Sequence, residues 1–322
     1  MAERGWERRI DLPTLPEALV RATVSAHVPG AVTSLEALPD GKVNAHVRVH
    51  LDDGSSVVLR IYLREPEVAA KEAALLTHFQ GALPVPAILG RGTCALPDGA
   101  RPYLLLAWVP GTTLDHLFPV LDAQGLRRAG RETGAAMACV HAVRRPQLGF
   151  LDATLQVPEP MGVLPDVWAG YLGELMAKPV VAARLGPERL ATCAQLLEEG
   201  RERLAAVDGV FSLLHADCKP VNVRARRTGE VTGLLDWEFA WSGPPLFDWG
   251  QMLRWPLPQA FEQGLIEGYE RAGGGRPLDG AGRRTAALLD VMNLVAFLDT
   301  PREDERERAA RDALALLDGT LG

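Results

Sequence analysis

The sequence predicts an α+β fold of two lobes, with a small β-rich lobe over residues 1–107 and a larger, mainly helical lobe over 108–322. In the first lobe three strand-like segments follow one another, and residues 43–51 alternate between apolar and polar as a half-buried antiparallel strand does. In the second lobe apolar residues recur every three or four positions, which is the period of a helix. A chain of 322 residues is long enough for two such units.

Turn residues separate the elements of the first lobe. Pro-Asp-Gly at 39–41 and Asp-Asp-Gly at 52–54 favour tight turns between strands. Apolar residues on one side of the segment 66–79 predict a helix there. The expected elements are, in order, a short helix from Pro16 to about Gly30, strands over 32–38, 43–51 and 56–62, a helix over 66–79 and a strand over 103–109.

The second lobe is expected to consist mainly of helices. Gly130 and Thr133 fall on the apolar face of its first helix, and such small residues favour close packing against a neighbouring helix. The expected elements are a helix around 126–141, a loop-rich region over 146–165, a helix over 187–207, short strands over 211–214, 221–223 and 233–235, and helices over roughly 258–272, 281–298 and 303–317.

One stretch of the second lobe concentrates chemically active residues. Residues 215–222 read His-Ala-Asp-Cys-Lys-Pro-Val-Asn, and residues 235–238 read Leu-Asp-Trp-Glu. Between them, short strands flank the turn 227–230 and predict a hairpin. This hairpin would bring Asn222 and Asp236 close together, with Asp217 at the mouth of the site.

These side chains suit phosphoryl transfer from a nucleotide. Asn222 and Asp236 offer the hard oxygen ligands that Mg²⁺ prefers. Asp217 can accept the proton of an attacking hydroxyl, and Lys219 can neutralise charge on the phosphoryl group that moves. Asp, Asn and Pro are also ordinary turn residues, but two such motifs in this order favour the catalytic interpretation.

The pattern His-x-Asp-x-Lys-Pro-x-Asn resembles the catalytic loop of protein kinases. Ala216, and Leu-Asp-Trp-Glu in place of Asp-Phe-Gly, resemble more closely the aminoglycoside phosphotransferase and small-molecule kinase family. The resemblance covers nearly the whole chain and is strongest over 213–250. It implies a bilobal protein-kinase-like fold, ATP and Mg²⁺ as cofactors, and transfer of the γ-phosphoryl group to a hydroxyl of a small molecule.

The resemblance also implies nucleotide contacts in the first lobe. Arg60 takes the position of the basic residue, usually Lys in the family, that touches the α- and β-phosphates, and Glu72 takes that of its helical carboxylate partner. The family's phosphate-covering loop is often reduced to a Gly with a nearby Asn. Lys42 and Asn44 lie in such a loop, although an ordinary hairpin turn explains them equally well.

The apolar strand that ends at Pro110-Gly111 resembles the hinge between the lobes. The resemblance assigns Leu106 to the gatekeeper position and the backbones of Ala107 and Val109 to adenine binding. A simple buried strand would have the same sequence.

Two further groups of residues are assigned by resemblance. His215 and Asp248 are expected to be structural, with Asp248 bracing the catalytic loop. Glu238 is expected beside the acceptor, and Trp168 and Tyr171 fall in the insert 146–176, where the family builds its acceptor pocket. For Trp168 and Tyr171, packing in the core is the stronger alternative.

Composition limits the partners. The net charge is −7, and residues 108–322 hold most of the excess, with 23 basic and 29 acidic side chains. This balance argues against a nucleic-acid target and is compatible with a cationic substrate, although it could equally serve solubility. The four cysteines show no metal-binding spacing, and no signal sequence or membrane span is evident, so we expect a cytoplasmic protein with no membrane partner.

Several alternatives stay open. A kinase of choline, a sugar or homoserine would use the same machinery. A non-catalytic ATP-binding protein would be expected to lack Asp217, Asn222 or Asp236, and this chain has all three. Protein kinase activity is disfavoured because no Ala-Pro-Glu segment follows Asp236. The sequence does not name the hydroxylated acceptor, does not separate ATP from GTP or monomer from dimer, and does not separate antibiotic resistance from metabolism.

Overall fold

The structure, a computed structural model, describes residues 15–38, 44–63, 65–97, 99–299 and 304–321. The N-terminal part is built on an antiparallel sheet of order β1-β2-β3-β5-β4. Its elements are α1 (Glu17–Ser25), β1 (Val32–Ala37), β2 (Ala45–Leu51), β3 (Ser56–Ile61), α2 (Val68–Phe79), β4 (Ile88–Leu96) and β5 (Gly99–Ala107). The turn that contains Lys42 lies outside the described residues.

The alternation of β2 decides which residues face the cleft. Its apolar residues are buried on the side of the sheet that α1 covers, together with Val20 and Val24 of that helix. His46 and Arg48 project from the opposite side, and His46 pairs in register with Arg60 of β3. This second side packs against α2 and is open toward the C-terminal part.

The C-terminal part is mainly helical, and the α+β class predicted from the sequence is confirmed. Its elements are β6 (Thr112–Thr113), α3 (Leu114–Leu117), α4 (Ala123–His141), β7 (Arg144–Arg145), β8 (Gly149–Phe150), α5 (Leu164–Ala177), α6 (Pro179–Ala205), β9 (Phe211–Leu214), β10 (Val223–Ala225), β11 (Val231–Leu234), β12 (Trp241–Gly243), α7 (Leu246–Leu253), α8 (Gln259–Tyr269), α9 (Gly280–Ala296) and α10 (Asp304–Leu321).

Helices α4 and α8 pack at backbone distance, as the small residues of α4 predict. A Cβ atom added to Gly130 would lie 2.1 Å from the carbonyl oxygen of Phe261, and one added to Gly134 would lie 2.0 Å from that of Leu265. No side chain fits between these backbones. The helix pair therefore requires glycine at both positions and forms a rigid base for the site.

One predicted element differs from the structure. The helix predicted over 187–207 agrees with it, because α6 consists of two helices that meet at Gly186, whose φ of 71° lies in the left-handed region, and the second begins at Pro187. The predicted strand 221–223 begins instead as a 3₁₀ turn, Pro220–Asn222, in which the Asn222 N–H donates to the Lys219 carbonyl at 2.9 Å. Proline has no N–H for a strand ladder, so pairing starts after it, at β10. No helix in the described ranges combines the length and apolar character needed to cross a membrane.

Candidate active site

Residues 215–222, here called the catalytic loop, follow the fully buried strand β9. Helix α7 fixes the backbone of this loop through Asp248, whose Oδ2 accepts the N–H of His215 at 2.9 Å and whose Oδ1 accepts that of Ala216 at 2.7 Å. Ala216 has a φ of 59°, which is unfavourable for a residue with a side chain. The two hydrogen bonds to Asp248 hold it there.

Gln251, one turn further along α7, holds the next part of the loop. Its Oε1 accepts the Cys218 N–H at 3.2 Å, and its Nε2 donates to the Ala216 carbonyl at 2.8 Å. Behind the helix, His141 contacts Asp248 Oδ2 at 3.0 Å. Sequence reasoning missed Gln251, and its only signal was the three-residue spacing from Asp248, which puts both side chains on one face of a helix.

The loop brings the two predicted catalytic residues and one predicted metal ligand into contact. Asp217 accepts a hydrogen bond from Asn222 Nδ2 at 2.7 Å and forms an ion pair with Lys219 Nζ at 2.8 Å. Its side chain is 14% exposed, so the carboxylate is oriented by the loop and still reachable from the cleft. A carboxylate fixed in this way can accept a proton from a hydroxyl placed next to it.

Residues 235–240, here called the carboxylate segment, run beside the loop. Leu235 donates its N–H to the Asn222 carbonyl at 2.8 Å, and His215 Nε2 donates to the Leu235 carbonyl at 2.9 Å. The hairpin β10–β11 thus places Asp236 next to Asn222, as the sequence predicted. Lys219 contacts Asp217, and its positive charge helps to lower the pKa of Asp236.

Arg60 lies at the centre of the charged cluster. Its Nη1 is 3.1 Å from Glu72, and its Nη2 donates to Asp236 at 2.9 Å and to Glu238 at 2.8 Å. Burial by itself would raise the pKa of Asp236, but the charge and hydrogen bond of Arg60 together with the charges of His46 and Lys219 outweigh it, and the pKa is lowered. Asp236 is therefore ionised and available to a cation at neutral pH.

Glu238 was expected beside the acceptor, but its carboxylate faces the N-terminal part instead. It accepts a hydrogen bond from Asn44 Nδ2 at 2.5 Å in addition to the one from Arg60. The side chain is 11% exposed, and burial together with the nearby charge of Asp236 raises its pKa to about 8. Arg60 and Asn44 are the two donors that hold the Glu238 carboxyl group in this position.

The two aromatic residues expected at the acceptor pocket lie in different surroundings. Trp168 is 1% exposed and packs in the core of the C-terminal part, so its indole lines no open surface. Tyr171 is 45% exposed on the same helix, α5.

The predicted hinge follows β5. Leu106 is buried and pairs in register with Val58, and the Ala107 N–H donates to the Ala87 carbonyl at 2.8 Å. The Val109 N–H makes no hydrogen bond to another residue that the structure describes. The Val109 N–H therefore stays available as a hydrogen-bond donor. The Ala107 carbonyl is the second backbone group of the predicted hinge that could bind the base of a nucleotide.

Sequence reasoning also missed an aromatic stack at the hinge. The Arg48 guanidinium carbon lies 3.8 Å from the centre of the Trp108 ring system, and that of Arg224 lies 4.6 Å from it. Arg48 comes from the cleft side of β2 and Arg224 from β10, so this cation–π stack links the two parts of the chain.

The profile of the phosphotransferase enzyme family (APH) matches residues 34–289. The fold is similar to that of a thermostable mutant of aminoglycoside phosphotransferase APH(4)-Ia in its apo form, at a TM-score of 0.69 and 20% identity over 95% of this chain and 98% of that one. It is also similar to macrolide 2′-phosphotransferase MphH from Brachybacterium faecium, at a TM-score of 0.60 and 21% identity over 91% and 97%.

A third similar structure is the GDP complex of an aminoglycoside 2′-phosphotransferase-IIIa mutant, at a TM-score of 0.68 and 18% identity over 94% of this chain and 95% of that one. No curated protein matches the sequence. The family profile covers most of the chain, including the catalytic loop, the carboxylate segment and Arg60. The chain therefore belongs to the phosphotransferase enzyme family.

Proposed function

We propose that this phosphotransferase moves the γ-phosphoryl group of ATP, with Mg²⁺, onto a hydroxyl group of a small molecule. The observation that carries the proposal is the convergence of Asp217, Asn222 and Lys219 with the Arg60–Asp236 pair at one cleft. This set contains a base, a cation for the phosphoryl group, oxygen ligands for a metal and an anchor for the nucleotide, which are the recurring parts of phosphoryl-transfer sites.

In this proposal Asp217 accepts the proton of the acceptor hydroxyl as its oxygen attacks the γ-phosphorus. The bond from that phosphorus to the β–γ bridging oxygen breaks, and ADP leaves with the electron pair. Lys219, 2.8 Å from Asp217, reduces negative charge on the phosphoryl group during transfer. Little covalent chemistry is asked of the protein, so positioning and charge supply most of the acceleration.

The residues present fit a magnesium ion. Asn222 uses its Nδ2 to hold Asp217, so its Oδ1 is left as an acceptor, and Asp236 contacts Arg60 through only one of its two oxygens. Mg²⁺ is commonly held by one or two protein oxygens together with phosphate oxygens and water. Asn222 and Asp236 would hold the ion, which would neutralise charge on the triphosphate.

The nucleotide would lie along the cleft side of β3, between the two proposed lobes, 1–107 and 108–322. Arg60, paired with Glu72, would contact the α- and β-phosphates, and the backbones of Ala107 and Val109 would meet the base. Arg60 and Val58 lie on the same side of β3, and the distance between two such residues along a strand is about 7 Å. Val58 pairs in register with Leu106 of the predicted hinge. A nucleotide anchored at Arg60 would therefore extend its base toward the hinge.

An aminoglycoside-type antibiotic is the acceptor class we propose to test first. The acidic excess of residues 108–322 is compatible with a polycationic acceptor. A structure similar in fold is a ternary complex of APH(4)-Ia with ADP and hygromycin B. Phosphoryl transfer from ATP requires a supply of nucleotide, and four free cysteines suit a reducing compartment. We therefore propose that the reaction takes place in the cytoplasm.

Two measurements test the proposal. Isothermal titration with Mg²⁺ and AMP-PNP should show binding, and Asp236→Ala should weaken it and abolish turnover. ATP consumption should then be measured across aminoglycosides, macrolides, peptide antibiotics and hydroxylated metabolites, with product mass to locate the phosphate. Full activity of Asp236→Ala would overturn the metal assignment, and turnover only with a metabolite would replace the proposed acceptor class.

A further inference from the structure

Arg60 is surrounded by more carboxylates than its guanidinium has terminal nitrogens. Three carboxylates, those of Glu72, Asp236 and Glu238, lie within 3.1 Å of its terminal nitrogens. Asp236 and Glu238 share the same nitrogen, Nη2, whereas Glu72 has Nη1 to itself. In the proposed function Asp236 also has to serve a metal ion. The carboxylate that keeps Nη2 in place while Asp236 does so is then Glu238.

Asn44 directs Glu238 to this position. Its Nδ2 donates to Glu238 Oε2, the same oxygen that receives Arg60 Nη2, and its Oδ1 accepts the Leu63 N–H at 3.2 Å. Asn44 precedes β2 and Leu63 follows β3, so one amide ties the two strands to the carboxylate. Glu238 is therefore fixed toward Arg60 by two donors from the N-terminal part.

One donor of Arg60 is left over. Its Nε–H is buried and has no hydrogen-bond partner among the residues that the structure describes, although Arg60 as a whole is only 5% exposed. Buried donors are rarely left unsatisfied. An oxygen of a bound nucleotide phosphate would satisfy this one, because a guanidinium can bridge phosphate oxygens through neighbouring nitrogens.

We propose that Glu238 is a positioning residue for the phosphate anchor: with Asn44 it holds Nη2 of Arg60 so that the unpartnered Nε–H is presented to the phosphates of a nucleoside triphosphate. This inference rests on the proposed function and deepens it. It also explains why arginine stands at position 60. The ammonium of a lysine is a single point charge and cannot reach two carboxylates and a phosphate through a rigid fork.

The test is a double-mutant cycle of Arg60→Lys and Glu238→Gln, read out as the Kd of Mg²⁺–AMP-PNP by isothermal titration. Arg60→Lys should weaken binding by about tenfold or more, because it loses the fork that lies between Asp236 and Glu238 and the Nε–H proposed to meet the phosphates. Glu238→Gln should weaken binding by about threefold, because one carboxyl oxygen is replaced by an amide nitrogen, which cannot accept from Nη2. The double variant should bind no worse than Arg60→Lys alone, since without the guanidinium there is no Nη2 for residue 238 to hold.

A matched cycle on the surface gives the control. Arg283→Lys and Glu262→Gln alter an ion pair of 2.6 Å that joins α9 to α8 and is largely exposed. Neither variant should change AMP-PNP binding. Thermal unfolding of each variant separates a folding defect from a binding defect. Where Arg60→Lys does not fold, Glu238→Gln decides the question by itself.

Three outcomes are informative. Multiplicative effects of the two substitutions would overturn the inference, because the residues would then act independently. Unchanged AMP-PNP affinity in Glu238→Gln would also overturn it and would return Glu238 to the acceptor side. A wild-type protein that binds no AMP-PNP would refute the proposed function, and the inference with it, whereas failure of the cycle with intact wild-type binding refutes the inference alone.

Discussion

The catalytic loop and the carboxylate segment lie side by side but are held from opposite sides of the cleft. The loop is fixed from within the C-terminal part, where Asp248 and Gln251 of α7 satisfy its backbone. The segment is fixed mainly from the N-terminal part. Arg60 contacts Asp236 and Glu238, and Lys71 Nζ donates to the Ala240 carbonyl at 3.1 Å. Phe79 stacks on Trp237, with the two ring centroids 5.0 Å apart.

This difference separates two tasks. A loop braced from within the C-terminal part does not depend on contacts from the N-terminal part, so the proposed base, Asp217, would be oriented before a nucleotide arrives. The segment depends on contacts from the N-terminal part for its geometry. Perturbing the loop should therefore change chemistry or stability, and perturbing the segment should change nucleotide affinity.

The largest expected effect comes from Asp217, the proposed base. Asp217→Asn keeps the size of the side chain and removes the group proposed to accept the proton, so kcat should fall by about 10²–10⁴-fold. The Kd of Mg²⁺–AMP-PNP should stay within about twofold of the wild-type value, because Asp217 has no proposed role in nucleotide binding. Single-turnover kinetics and isothermal titration measure the two quantities.

Asp53→Asn, which changes an exposed carboxylate in the turn between β2 and β3, is the matched control and should leave both values unchanged. A weakened Kd in Asp217→Asn would contradict the division of tasks. Wild-type turnover in the same variant would remove Asp217 from the mechanism.

The contacts between residues close together in the chain could be predicted from the sequence. Asp217, Lys219 and Asn222 lie within six residues, so the backbone of one loop brings them together, and the hairpin that follows brings Asp236 to the same place. The α+β class followed from periodicity in the same way. Short-range order of this kind depends on residue type and spacing, which a sequence contains directly.

Most contacts between residues far apart in the chain could not be predicted from the sequence. Glu238 turned toward Arg60, 178 residues away in the chain, and no local pattern indicates on which side of the segment its carboxylate lies. The Trp108 stack and the contact of Lys71 with Ala240 also join distant residues. Packing between the two parts decides such partners, and propensity and spacing do not record it. Two contacts between distant residues were expected, that of Arg60 with Glu72 and that of Asp248 with the catalytic loop, and both expectations came from resemblance.

A smaller effect should follow when the brace of the loop is removed. Asp248→Ala leaves the buried N–H groups of His215 and Ala216 without acceptors, which should lower the free energy of unfolding by about 3 kcal/mol. Urea unfolding measures this loss. The folded fraction should bind AMP-PNP nearly as the wild type does, because the carboxylate segment keeps its own supports.

Glu262→Ala serves as the comparison for that variant, because it removes one partner of an exposed ion pair and should cost no more than about 0.5 kcal/mol. Equal losses in the two variants would show that Asp248 contributes no more than a surface residue. The assignment of Asp248 as the brace would then be incorrect.

The smallest effect is expected from Lys71→Met, which acts on the other side of the comparison. Lys71 is buried, and burial lowers the pKa of its ammonium although the charges of Glu72 and Glu238 partly oppose this. A charge that burial disfavours contributes little to folding, so methionine should change the free energy of unfolding by less than about 1 kcal/mol. The lost hydrogen bond to Ala240 loosens the carboxylate segment, and AMP-PNP should bind about two- to fivefold more weakly.

Lys178→Met, at an exposed lysine paired with Asp299, is the matched control and should change neither the free energy of unfolding nor the Kd of AMP-PNP. If Lys71→Met lowered stability as Asp248→Ala does and left the nucleotide Kd unchanged, the segment would be held by its own lobe and the two regions would not differ.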